Sequence, residues 1–164
     1  MNTVKKIISN GYILLIPILI WNLSFTSKLP PAYDLKNFNS NIPILILIGE
    51  NLFRSIIFIL PLFIKLSIGN KAEKFGFIVY IFGSLCYYIS WVILIYAPNS
   101  LWSNGFYGFA APSYTPIIWL IGMSLMANSY YFKVKYMKWH FIIPSVAFSI
   151  FHITHTLIVY LRIN

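Results

Sequence analysis

Apolar residues in this chain come in long blocks separated by short polar stretches, not in the one-sided stripes of an amphipathic helix. A helix rising ~1.5 Å per residue needs ~20 residues to cross about 30 Å of hydrocarbon. Five blocks fit that length, at 7–25, 42–64, 75–97, 114–132 and 139–161. The pattern predicts an all-α integral membrane protein, a bundle of about five transmembrane helices forming a single domain over 1–164. Pro43 suits the first turn of the second block, and Pro98 stops the third. The first block contains Ser9-Asn10-Gly11 and Pro17 and follows a basic head, Met1–Lys6. No small-residue cleavage site follows it, which favours a retained helix over a signal peptide.

Composition agrees with the pattern. Of 164 residues, 59% are hydrophobic and only 9% charged, against roughly 25% charged in soluble domains. Such a chain has too few charges to cover a water-exposed surface. The single cysteine, Cys86, lies inside an apolar block, which excludes an intrachain disulfide. A net charge of +9 would suggest nucleic acid in a soluble protein. Here the basic residues stand between the apolar blocks, where they meet lipid headgroups, so nucleic acid is not an expected partner. The expected partner is the lipid bilayer, with a homo-oligomer or a larger membrane complex left open.

The basic residues also give a direction. Lys5, Lys6, Lys65, Lys71, Lys74, Lys133, Lys135 and Lys138 share one side of the five-span arrangement, while Lys28, Lys36 and Arg162 share the other. The richer side is cytoplasmic by the positive-inside rule. This places the N-terminus in the cytoplasm and the C-terminus outside, in a multi-pass protein of the cell membrane, of bacterial cytoplasmic-membrane type. The loop Asn99–Ser113 then lies outside. It carries no charge, and Trp102, Phe106, Tyr107 and Phe109 suit the headgroup region.

Against this background a few polar groups stand out. Glu50 and Arg54 lie well inside the second block, where a charged residue costs roughly 2.5–3.5 kcal/mol and usually faces protein or water. Four apart, they share a helix face, with Asn51 one step round. The bland reading is a neutralised pair that glues helices together. The functional reading is a carboxylate that binds or shuttles something, its charge set by Arg54. In the fifth block His152 and His155 share a face with Ser145, Phe148, Ser149 and Thr156. Glu50 lies about 12 Å below the outer end of its span, and the two histidines fall at a similar depth. Asn22, Ser90 and Trp91 belong to the same outer half. Five helices can therefore bring acid, base and hydrogen-bonding groups to one level. Glu50, Asn51, Arg54, His152 and His155 are the candidate ligand- or proton-binding residues.

A carboxylate and two imidazoles are a zinc-like donor set, but Arg54 beside them would repel a cation, so no metal is expected and no cofactor is identified. Glu50-Asn51-Leu52-Phe53-Arg54 resembles part of the E-E-x-x-x-R motif of the CAAX-protease and bacteriocin-processing family, and Phe148–His152 resembles its F-x-x-x-H motif. That resemblance implies a glutamate and a histidine that activate water for intramembrane peptide hydrolysis. Gly49 stands where the motif has its first glutamate, and Val159 where an H-x-x-x-N motif would place asparagine after His155. The expected function is the binding or translocation of a small solute, proton, or anionic or lipid ligand through this outer site. A structural or regulatory membrane subunit and a glutamate/histidine hydrolase are the alternatives, which leaves open whether the chain is an enzyme.

The orientation is directly testable. Alkaline phosphatase fused within Asn99–Ser113 is expected to be active, and fused at Gly69-Asn70 inactive; the reverse pattern would sink the assignment.

Overall fold

The computed structural model describes residues 9–163 and is mostly helical. The basic head Met1–Lys6 and positions 7 and 8 of the expected first span lie outside the described residues; within them that span turns helical only at Gly11, because Asn10 bridges to Lys65 and the Ser9 carbonyl accepts from the Leu66 N–H at 2.6 Å. The chain enters through a 3-10 turn, Gly11–Leu14, whose cap is Asn10: its side-chain oxygen accepts from the Tyr12 N–H at 2.8 Å. Helix α1 (Leu15–Phe25) follows, with Pro17 in its first turn, where a missing N–H costs little. Helix α2 (Ile44–Ile59) starts after Pro43 and tightens into a 3-10 turn, Leu60–Phe63, that contains Pro61. The chain then runs extended through strand β1 (Ile64–Leu66).

Helix α3 (Lys71–Tyr96) begins four residues before the expected 75. Asn70 accepts from the Glu73 N–H while the Glu73 carboxylate accepts from the Asn70 N–H, a capping box that lets the charged residues 71–74 join the helix. Three short helical turns, Leu101–Asn104, Phe106–Phe109 and Ala111–Tyr114, lead to helix α4 (Pro116–Met126). Here the structure departs from the expected span 114–132. The helix ends at Met126, and Ala127–Tyr130 forms strand β2, antiparallel to β1 with Ile64 opposite Tyr130. The polar Asn128-Ser129 pair explains the stop, because Asn128 donates to the Glu73 carboxylate at 3.1 Å instead of extending an apolar helix. Helix α5 (Trp139–Ile163) closes the chain.

The bundle is helical, as expected, with a small two-stranded sheet at one end. Among the described residues, four helical segments are long and apolar enough to cross a membrane: Gly11–Lys28, Ile44–Phe63, Lys71–Tyr96 and Trp139–Ile163. Asn10, β1, β2 and the start of α3 gather at one end. At the other, the Tyr33 hydroxyl donates to the Phe109 carbonyl at 2.6 Å, and Arg162 donates to the carbonyls of Asn37 and Ser40. These bonds strap the connection 26–41 to the loop before α4 and to the end of α5. Burial holds the Tyr33 phenol well above its ordinary pKa, so it remains a donor across the working pH range.

Beside its apolar core, the bundle turns large apolar side chains outward and buries several polar ones. Leu23, Ile48, Leu52, Ile78, Ile143 and Ile150 face outward, whereas Glu50, Ser124, Ser145, Ser149, His155 and Thr156 are buried. The buried hydroxyls are satisfied largely within their own helix, as in Ser145 to the Phe141 carbonyl at 2.6 Å and Ser149 to the Ser145 carbonyl at 2.9 Å. Short side chains of this kind let helices approach closely and gain from van der Waals contact. The α3–α4 contact is the extreme case. A Cβ on Gly122 would overlap the Tyr80 backbone nitrogen and lie 2.8 Å from the Gly76 carbonyl oxygen, both backbone atoms that cannot step aside. Gly122→Ala is therefore expected to lower stability by about 1–3 kcal/mol, read as a lower unfolding temperature in detergent; an unchanged temperature would refute this account of the interface.

Candidate functional site

The site is built where α2 meets α5. The i, i+4 spacing on α2 sets the Arg54 guanidinium against the Glu50 carboxylate, and Nη2 donates to Oε1. From α5, His152 Nδ1 lies 3.0 Å from the same Oε1, and His155 Nδ1 lies 2.5 Å from Oε2. Glu50 is thus shared by three partners while being only 2% exposed. His155 reaches further: its Nε2 lies 3.0 Å from the Phe38 carbonyl oxygen, in the short helical turn Leu35–Phe38 of the 26–41 connection. The Phe38 ring packs on the His155 imidazole, and the Phe148 ring stacks on His152. The Arg54 guanidinium lies 5.8 Å from the centre of the same Phe148 ring.

Hydrogen-bond chemistry limits how the protons are arranged. A backbone carbonyl only accepts, so His155 Nε2 carries a hydrogen. A second hydrogen must lie between His155 Nδ1 and Glu50 Oε2, because two bare lone pairs would repel. Counted on the imidazole or on the carboxyl, it leaves Glu50 and His155 together neutral. This differs from the simplest sequence reading, in which Glu50 is cancelled by Arg54 alone.

Beside this cluster is a cavity of about 450 Å³ walled by all five helices and by the 26–41 connection. Its volume lies within the range of about 300–1,000 Å³ usual for small-ligand pockets. Arg54, His152 and Thr156 stand on its wall, with Asn22 from α1 and Tyr87 and Trp91 from α3. The Tyr87 hydroxyl donates to the Asn22 side-chain oxygen at 2.7 Å. The Trp91 and Trp119 indole N–H groups are buried without a hydrogen-bond partner; Trp91 lies near the Tyr87 hydroxyl without reaching hydrogen-bonding geometry. Most of the remaining wall is apolar, including Ile18, Leu19, Ile57 and Phe58.

Four of the five sequence candidates meet here. Asn51 does not join them, for it is exposed on the outer side of α2 and its amide donates to the Leu47 carbonyl at 2.9 Å, with only a long 3.5 Å contact from Arg54. Of the other groups expected at this level, Asn22 and Trp91 reach the cavity, whereas the Ser90 hydroxyl donates to the Tyr87 carbonyl within its own helix. His140 is at the sheet end, 3.1 Å from the Tyr130 hydroxyl. Gly49 gives the α5 side of α2 room for the Phe151 ring, which occupies the place where a Cβ would stand, so a glutamate there has no space. Tyr33, Phe38 and Tyr87 were not candidates on sequence. Tyr87 carried one usable signal, standing four residues before Trp91 on the same helix face; the Phe38 carbonyl carried none.

Among the described residues no group of three or more His, Cys, Asp or Glu is placed to hold a metal ion. The cause is visible in the bonding, since both histidines direct Nδ1 at different oxygens of Glu50 rather than at a common point. No family model matches the chain, and no curated protein or solved structure matches it. The site is therefore read from its own geometry.

Substitutions at Glu50 separate hydrogen bonding from shape. The amide introduced by Glu50→Gln can accept from Arg54 and His152 and donate to His155 Nδ1, so this variant should fold with a near-normal unfolding temperature. Glu50→Leu leaves the partners unsatisfied and should lose about 3–5 kcal/mol. Equal unfolding temperatures for the two variants would refute the shared-carboxylate account.

Proposed function

We propose that this chain is a multi-pass protein of the cell membrane, N-terminus cytoplasmic and C-terminus outside, that binds a small ligand in its outer half as a binding or carrier protein. It crosses five times, the shorter segment 111–126 serving as the fourth passage. The observation that carries the reading is that Arg54 on α2 and His152 on α5, far apart in the chain, stand on the wall of one cavity and share one buried carboxylate. A pair serving only to glue α2 to α5 needs no cavity, and a membrane bundle without a ligand is better stabilised by close packing around a small polar contact. The outward-facing apolar residues and the positive-inside count support the location.

The hydrolase alternative is less well supported by the bonding. A general base needs a water within reach. Glu50 Oε1 is occupied by Arg54 and His152, Oε2 faces His155, and Glu50 is not on the cavity wall. The polar groups presented to the cavity beside Glu50 are Arg54 and His152, which suits holding a ligand better than delivering a nucleophile.

The test is access. In a Cys86→Ala background, Leu19→Cys and Asn22→Cys, both half-buried on the cavity wall, should react with a membrane-impermeant thiol reagent added outside. Ser149→Cys, buried away from the cavity, should not. If both wall positions prove as unreactive as position 149, or react only from the cytoplasmic side, the binding role is lost.

A further inference from the structure

The cavity carries a charge that the Glu50–Arg54 spacing conceals. Glu50 and His155 form a neutral unit, because one hydrogen is required between Oε2 and Nδ1 and another on Nε2 toward Phe38. That unit leaves nothing to cancel Arg54. His152, donating from Nδ1 to Oε1, is neutral in this arrangement, and a proton on its other nitrogen would only add positive charge. The groups facing the cluster from elsewhere do not alter the count. From α1 and α3 come an amide and a phenol, Asn22 and Tyr87, bonded to each other. From the 26–41 connection come the Phe38 carbonyl and the neutral Tyr33 phenol. Among the described residues that line the cavity there is no Asp or Glu.

Arg54 also has capacity to spare. A guanidinium has five N–H donors, and its bonds here engage one nitrogen with Glu50 and one, at 3.5 Å, with Asn51. Its side chain is 42% exposed, in contrast to the sealed Glu50. An uncompensated cation with free donors on a mostly apolar wall favours a ligand with an anionic end and a hydrocarbon remainder.

We infer that the ligand is a single-chain amphiphile with an anionic head, a carboxylate or a phosphate, held by Arg54 and His152 while its chain fills the apolar remainder of the cavity. This deepens the binding role proposed above and rests on it. The single chain follows from the size of the cavity and from the connection 26–41, which forms part of its wall and is strapped down through Tyr33, His155 and Arg162. The head chemistry is common to free fatty acids, alkyl phosphates and bilayer lipids, and competition separates these sources.

The experiment uses the full chain in nanodiscs of phosphatidylcholine, with binding followed by tryptophan fluorescence, since Trp91 and Trp119 are on the cavity wall. Decanoate and decyl phosphate should bind saturably. Decanol, decyltrimethylammonium and inorganic phosphate should bind far more weakly. Arg54→Gln, which can still donate to Glu50, should weaken decyl phosphate by about tenfold or more, the loss of a charge-assisted hydrogen bond. Lys65→Gln, at the opposite end in β1, should leave it unchanged and so controls for general charge attraction. If Arg54→Gln fails to fold, Arg54→Lys takes its place and should keep the preference for decyl phosphate over decanol. Binding of decanol or decyltrimethylammonium as tightly as decyl phosphate overturns the anionic head. Inorganic phosphate binding as tightly overturns the chain, and competition by phosphatidylglycerol in the nanodisc overturns the single-chain ligand in favour of a bilayer lipid. Any of these results combined with thiol access to position 22 leaves the cavity role standing, whereas absence of that access removes both.

Discussion

Burying the Glu50 carboxylate inside an apolar bundle is tolerable only if its oxygens are hydrogen-bonded, and no single helix can supply enough donors. Arg54 comes from the same helix, but His152 and His155 must come from α5. That requirement fixes which face of α5 meets α2. His155 then commits its second nitrogen to the Phe38 carbonyl, so the same network determines where the connection 26–41 lies. One acidic side chain thereby organises two helices and the segment that walls the cavity on the loop side.

The rest of the bundle holds together by a different means. Outward positions are apolar as well as the core, and small or hydroxyl side chains are set among the buried ones, so the helices gain from close approach and from hydroxyls bonded back to their own backbone. Gly122 against Tyr80 and Gly76 brings α3 and α4 nearly to backbone contact. Tight packing there contrasts with the space between α1, α2 and α5, where Ile18, Ile57 and Phe148 surround the cavity instead of filling it. The candidate site belongs to the α2–α5 side, and the closest packing to the α3–α4 side.

The end of α4 shows how local chemistry overrides hydropathy. An apolar count runs from 114 to 132, yet Asn128 finds the Glu73 carboxylate and the backbone of 127–130 finds β1. The first contact satisfies an amide that a longer helix would have left on an apolar surface, and the second satisfies the backbone groups that leave the helix to reach it. Glu73 serves twice, capping α3 and receiving Asn128, and so ties the sheet to the start of the longest helix.

The sequence by itself determined the helical class, the approximate limits of α2, α3 and α5, the end of α1, and the short list of polar residues that stand inside apolar blocks. It could do so because helix length, proline positions and the cost of buried charge act locally or depend only on spacing. Glu50 with Arg54, and His152 with His155, were legible as pairs for the same reason. Only the tertiary structure decided that the two pairs meet, that Asn51 turns away, and that Glu50 belongs to His155 as much as to Arg54. Those facts depend on helix rotation and on contacts between positions far apart in the chain, which no local pattern encodes. The Phe38 carbonyl is the clearest instance: any residue there has a carbonyl, and only the fold brings this one to His155.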